Sequence, residues 1–432
     1  MSAASKNPKY FTNIQYPYAD TWDAKTRSHV TFTLANIHYS LANAIRRAMI
    51  SKVDTIGFNS KFGGIKIEKN DTYLNNQIIS HRISMIPLNI PNPDKFDTEE
   101  YLFMLEAIND TNAVKLVTTE DFKVKRISSN TFLSDKETRA IFPPDPITKC
   151  FTPIVKLKPK YHTNIGGHDS GTSQAIGQAI RIPVTEPVTI KLSAKAIRAN
   201  GDENGHFSPV TISAYGNTID TTKAPQAEQE FIDSQNAIVR ANGLSDIPED
   251  KLKRRFKINQ IQRVFIVDES GEPVSFDFRV ESVGVIPPLI CVERALRWLV
   301  DDITRLITNL QSGNDKEVKI KPLPHLGNGF EITVEGEDDT LGNVIQSWII
   351  KKYADFTLEP EERRLATITY HKTHPLERRI VFTIKPIDSA DYMTVVQGTF
   401  KEGCESLIKH IESILAELLG TGQYLTELKQ IV

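Results

Sequence analysis

The chain carries one unit twice. Residues 30–50, VTFTLANIHYSLANAIRRAMI, align without a gap against residues 330–350, FEITVEGEDDTLGNVIQSWII. Thr33/Thr333, Leu41/Leu341, Asn43/Asn343, Ile45/Ile345 and Ile50/Ile350 are identical between the copies. Each copy opens with apolar residues at every second position, Val30, Phe32 and Leu34 in one and Phe330, Ile332 and Val334 in the other. That is the period of a strand with one buried face. The spacing then changes to three and four, through Leu41, Ile45, Ala48 and Met49 and through Leu341, Ile345, Trp348 and Ile349, which predicts a helix with an apolar stripe. Ser40 and Thr340 stand where an N-cap is expected, because a hydroxyl there accepts from an unpaired N–H of the first turn. The unit reads as a duplicated dimerisation element that would pair about a two-fold axis as separate chains, and about a pseudo-two-fold axis here. The plainer alternative is two unrelated strand–turn–helix segments of similar pattern.

Two longer helices are predicted over residues 290–310, with Leu296, Leu299, Ile303, Leu306 and Leu310 on one stripe, and over 395–419, with Phe400, Cys404, Leu407, Ile408, Ile411, Leu415 and Leu418. Four helices, two per half, would close one shared core. Between them residues 311–328 are polar and rich in Gly and Pro, the composition of a connector. The first half is much longer than the second. Its middle holds alternating runs, VTIKLSAKA (188–196), PVTISAY (209–215) and FDFRVESVGV (276–285), that indicate a mostly β insert, with residues 160–180 and 216–236 read as loops. The expected fold class is α+β. A discontinuous dimerisation domain would span 1–59 and 260–311, the insert 60–259, a linker 312–328 and a second small dimerisation domain 329–432.

Composition narrows the function. With 40% apolar and 25% charged residues the chain has the make-up of an ordinary globular protein, and a net charge of −2 lacks the footprint of a protein that neutralises many phosphates by itself. Cys150, Cys291 and Cys404 lie far apart without a CxxC, so neither a disulfide framework nor a four-ligand zinc site is expected, and no metal or other cofactor. A reducing compartment fits this usage. No apolar leader and no run of about 18 apolar residues occurs, so the chain reads as neither secreted nor anchored. No HExxH, P-loop or GxSxG motif appears, and no catalytic residues are expected. Asp301-Asp302 falls within a predicted helix, and Asp338-Asp339 at a helix start, where negative charge favours the dipole. The one compact basic run, KLKRRFK at 251–257, reads first as a solvated helix face, with an acidic partner or nucleic acid as the alternative.

Six segments in order resemble the alpha family of multisubunit DNA-dependent RNA polymerases, which includes the archaeal D and L subunits and the third and eleventh subunits of the eukaryotic enzyme. They are LANAIRR (41–47), HRISMIPL (81–88), VTTEDF (117–122), FRVESVGVIPP (278–288), DDTLGN (338–343) and HPLE (374–377). The resemblance implies an alpha-like dimerisation domain fused to a second, smaller one. Together they would make a non-catalytic platform that nucleates assembly of the two large catalytic subunits, beside small polymerase subunits, and meets DNA and RNA only through the assembled complex. It implies an inter-half core of Leu41, Ile45, Met49, Leu341, Asn343, Ile345, Trp348, Ile349, Leu407 and Ile411. Arg46, Arg47, His81 and Arg82 would contact a large subunit, the arginines through planar guanidinium groups suited to carboxylates and carbonyls. The HPLE segment is expected to set a turn. The cysteine patterns of the iron–sulfur and zinc-loop members are absent. The fused arrangement is similar to that of large cytoplasmic DNA viruses, which implies a viral source, the host cytoplasm and the virion. A freestanding nucleic-acid-binding transcription factor and an enzyme acting alone are the competing readings.

Overall fold

A computed structural model describes residues 9–20, 28–61, 63–159, 161–162, 182–183, 187–313, 316–323, 327–387 and 391–431. The chain opens with β1 (Phe11–Gln15), β2 (His29–Ala35) and α1 (Tyr39–Ser51). A long excursion follows through β3 (Thr55–Phe58), β4 (Ile65–Asn70), α2 (Asn76–Ser84), β5 (Tyr101–Asn109), β6 (Lys115–Thr118), β7 (Phe122–Arg126) and β8 (Thr131–Phe132). It continues through α3 (Asp135–Ile141), β9 (Pro153–Leu157), β10 (Tyr161–His162), β11 (Ile182–Pro183), β12 (Val188–Ala194) and β13 (Ala196–Ala199). The first half closes with β14 (Val210–Asn217), α4 (Ala224–Ala241), α5 (Glu249–Asn259), β15 (Ser275–Ser282) and α6 (Pro288–Ser312). The second half is β16 (Val318–Leu323), β17 (Gly329–Glu335), α7 (Asp339–Ile349), β18 (Leu365–Lys372), β19 (Arg379–Pro386), α8 (Tyr392–Leu419) and α9 (Gly422–Ile431).

Each half contains a four-stranded antiparallel sheet, ordered β1-β2-β15-β14 in the first and β16-β17-β19-β18 in the second. Strand for strand the orders match, and in both the second strand feeds a helix and the central partner strand feeds a longer one. The bend from strand to helix is also shared. Asn36 (φ 59°) and Gly336 (φ 82°), equivalent positions of the repeat, both take the left-handed conformation that Gly and Asn adopt at least cost. Phe32 and Phe278, opposite one another on β2 and β15, stack at 5.1 Å.

Alternation on the strands and the stripes on α1, α6, α7 and α8 turn toward one another and form a single apolar core drawn from both halves. Within it α1 packs on α7 and α6 on α8, so each half supplies one short and one long helix to the seam. The excursion has its own sheet, ordered β4-β12-β5-β7-β8, and its own core around Phe58, Phe103, Phe122 and Phe142.

Several sequence expectations change. Strand β14, expected in the insert on its alternation, hydrogen-bonds instead to β15, which pairs with β2 in the first-half sheet. Alternation identifies a strand but not the sheet it joins. The segment 216–236, read as a loop, contains most of α4, whose stripe is too thin to announce itself since Ile232 is its one buried residue. The linker 312–328 contains β16, an edge strand that tolerates Pro322 and carries Lys319 and Lys321, devices that suit an unpaired edge. Most of the loop at 160–180 lies outside the described residues. The caps shift by two: His38 Nδ1 accepts from Ser40 N at 3.2 Å and Asp338 Oδ1 from Thr340 N at 2.8 Å, while Ser40 and Thr340 themselves are buried.

Candidate assembly interface

Eight of the ten residues expected at the inter-half core are buried. Leu41, Ile45 and Met49 lie on α1, Leu341, Ile345 and Ile349 on α7, and Leu407 and Ile411 on α8, all within one core with Leu296, Leu299 and Ile303 of α6. Trp348 is partly buried against it and stacks on His410 at 4.7 Å. Asn343 is half-buried and accepts from Ser347 Oγ at 3.2 Å, as its counterpart Asn43 accepts from Arg46 Nε at 3.0 Å. The two asparagines brace their own helices rather than reaching across the seam.

Polar contacts close the seam at several points that periodicity did not reveal. Glu427 of α9, fully buried, accepts from Leu289 N at 2.8 Å and Ile290 N at 3.3 Å and from Tyr16 Oη at 2.8 Å. Helix α6 begins at Pro288 without a side-chain cap of its own, so a carboxylate from the far end of the chain satisfies its first N–H groups and meets the positive end of its dipole. Glu417 of α8 likewise receives Tyr10 N and Phe11 N, the latter at 2.7 Å, tying β1 to the second half. No local motif announces either glutamate, because their backbone partners are 137 to 138 and 406 to 407 residues away.

A denser charge cluster sits where the start of α7 meets α1 and α6. Arg47 Nε donates to Thr340 Oγ1 at 2.8 Å and its guanidinium lies 3.8 Å from Asp338. Lys52 pairs with Asp202 at 2.6 Å and lies over the Trp298 ring. Arg305 binds Asp302 at 2.7 Å and also Glu337 through the same nitrogen. Asp302 Oδ2 is buried without a hydrogen-bond donor among the described residues. Burial, then the Asp302 carboxyl, push Glu337 up to about 8, against the pull of Arg305 and Lys52. At the opposite end of α1, His38 is held down to about 4 by burial and by Lys351, which itself pairs with Asp268 at 3.3 Å.

The four residues expected to contact a large subunit separate into two places. Arg47 is engaged across the seam, and Arg46 is half-exposed on the same helix beside Asn43. His81 and Arg82 are exposed on α2, Arg82 donating to Pro153 O at 3.3 Å. Exposed Ile78 and Met85 extend that face, a mixed apolar and basic patch that the sequence alone did not single out. His374 closes the turn between β18 and β19, where its Nδ1 accepts from Leu376 N at 3.2 Å. Cys291 and Cys404 are buried, which raises both thiols, and Cys150 is exposed. Among the described residues no group of three His, Cys, Asp or Glu side chains is arranged to hold a metal. No described helix is long and apolar enough to cross a membrane.

In each half a four-stranded sheet thus feeds two helices into one common core. The chain belongs to the RNA polymerase Rpb3/Rpb11 dimerisation domain family, whose model matches residues 31–303. It is similar to DNA-directed RNA polymerase subunit Rpo3 of Pyrococcus horikoshii, 35% identical over 75 residues that cover 17% of this chain and 27% of that protein. Longer matches run to the human DNA-directed RNA polymerases I and III subunit RPAC1, 20% identical over 68% of this chain and 89% of that one, and to a conjugation stage-specific protein of Tetrahymena thermophila, 21% identical over 66% and 93%. Two of these relatives, Rpo3 and RPAC1, are subunits of DNA-directed RNA polymerases.

Proposed function

We propose that this chain is an intramolecular alpha-like heterodimer, two dimerisation units on one polypeptide, that serves as a non-catalytic platform for the two large catalytic subunits of a DNA-directed RNA polymerase. One observation carries the reading: the sheet orders β1-β2-β15-β14 and β16-β17-β19-β18 are equivalent, and their helices share one core. Fusion makes the pairing unimolecular, with an effective concentration on the order of millimolar for a short linker. The α2 face, with Ile78, His81, Arg82 and Met85, and Arg46 at the edge of α1 are the surfaces assigned to a large subunit. Exposed Arg with flanking Ile and Met is the make-up of an interface rather than of a solvated helix. The viral source and cytoplasmic site of action belong to this reading and rest on the fused arrangement alone.

Co-expression of the tagged chain with the large polymerase subunits from its own source tests it. Recovery of a stable complex that synthesises RNA on a template, with inactivity of the isolated chain, is the expected result. His81→Glu/Arg82→Glu and Arg46→Glu are expected to reduce recovery at least about tenfold, as truncation at a charged interface residue does. Failure to recover the large subunits, or RNA synthesis by the chain alone, overturns the platform reading.

A further inference from the structure

The β18–β19 connection of the second half is a six-residue turn, whereas its counterpart between β14 and β15 spends residues 218–274 on the α4–α5 hairpin. The sheet does not need that length, so the hairpin is an addition to the fold. It holds itself together through a small contact of its own, with Leu252 and Phe256 of α5 buried and Phe231 of α4 lying 5.8 Å from Phe256. Away from that contact α5 shows a different face. Lys251, Arg254, Arg255 and Ile258 recur at spacings of three and four and are all exposed, and Lys257 flanks them. Lys253 is paired with Glu249, but among the described residues none of Lys251, Arg254, Arg255 and Lys257 has an ion-pair partner. Large apolar side chains stand out on the same hairpin: Ile258 is 67% exposed, Leu244 66% and Ile238 57%.

We propose that this outer face of α5, with exposed Ile258 among its cations, is a docking surface for an acidic, apolar segment of another protein. Four uncompensated cations on a chain of net charge −2 select an anionic partner. Ile258, exposed at helical spacing from Arg254 and Arg255, chooses between the two anionic classes. A phosphate backbone gains nothing from this side chain, while an acidic helix or strand carrying Leu or Phe buries it and pairs its carboxylates with the arginines in bidentate fashion. The surface is separate from the seam and from α2, and the proposal does not depend on the polymerase reading.

The test is a titration of the full chain, followed by fluorescence anisotropy, with three labelled probes: an amphipathic peptide of Glu and Leu, a Glu–Gly peptide of equal charge, and a 20-base-pair DNA duplex. The Glu–Leu peptide is expected to bind at least about tenfold more tightly than either other probe at 150 mM salt. Lys251→Glu/Arg254→Glu/Arg255→Glu is expected to weaken it about tenfold or more, and Ile258→Ser severalfold, with the thermal melt of the chain unchanged. Equal or tighter binding of the duplex would reassign the face to nucleic acid. Equal binding of both peptides, absence of peptide binding, or indifference to the triple substitution would overturn the proposal.

Discussion

Glu337 shows how one side chain links acid–base chemistry to the joining of the halves. Asp302 and Glu337 share one guanidinium nitrogen of Arg305, and their side chains are 10% and 4% exposed, so two buried carboxyls face one cation at close range. Lys52 and Arg378 act on the same site from outside this pair. Holding a proton on Glu337 is the low-cost solution in such surroundings. Its folded value of about 8 stands above the ordinary 4.5. The folded state therefore binds this proton more tightly, and the stability tied to the group is complete below about pH 4.5 and is lost as pH rises through about 8. Glu337→Gln keeps the shape without the charge and offers an N–H to the unpaired Asp302 oxygen. Urea melts from pH 5 to 9 are expected to show a shallower alkaline loss for this variant than for the parent. An unchanged slope would mean that Glu337 is ionised throughout. The position of Asp338-Asp339 at a helix start agrees with the Asp338 cap, whereas no local pattern marks the neighbouring Glu337. Its environment comes from Asp302 and Arg305, more than thirty residues upstream.

Among the elements, α7 departs most instructively from its copy α1. Ala42 of α1 is buried, and its counterpart is Gly342, where a Cβ would lie 2.6 Å from the Tyr370 ring of β18. The helix sits that close to its sheet because the residue has no side chain. Gly342→Val is expected to destabilise the fold by about 1–3 kcal/mol, the usual cost of overpacking, and more if Tyr370 has no room to turn. Tyr370→Ala in the same chain should recover part of that loss, which a double-mutant cycle by chemical denaturation would measure. The helical spacing of α1, α6, α7 and α8 was legible because each buries a broad stripe. That of α4 was not, since a helix that buries little has little periodicity to read.

At the scale of the whole molecule the two halves behave as one body because helices, strand β1 and two distant glutamates all cross between them. A protease site placed between Gly313 and Lys316, after the left-handed cap of α6 and before β16, severs the covalent link alone. The cleaved halves are expected to co-elute as a single species on gel filtration and to melt in one transition. Adding Glu427→Ala should lower the stability of the cut complex by about 2–3 kcal/mol, because the first N–H groups of α6 are then left buried and unpaired. Separation of the uncut-sized species into two folded fragments at micromolar concentration would show that the shared core is weaker than its burial indicates.

The repeat and the apolar stripes of α1, α6, α7 and α8 are legible in the residues alone, because periodicity records which face of an element leaves water. Four of the six segments that resemble the family, LANAIRR, HRISMIPL, VTTEDF and FRVESVGVIPP, lie within the matched residues 31–303. What periodicity does not encode is settled by the closed fold: that β14 returns to the first-half sheet, that β16 completes the second, that Glu427 and Glu417 bind backbone N–H groups of the other half, and that Arg47 donates to Thr340. Each of these depends on which backbone or charged groups meet after the chain has closed, and partners brought together across hundreds of residues leave no local pattern to read.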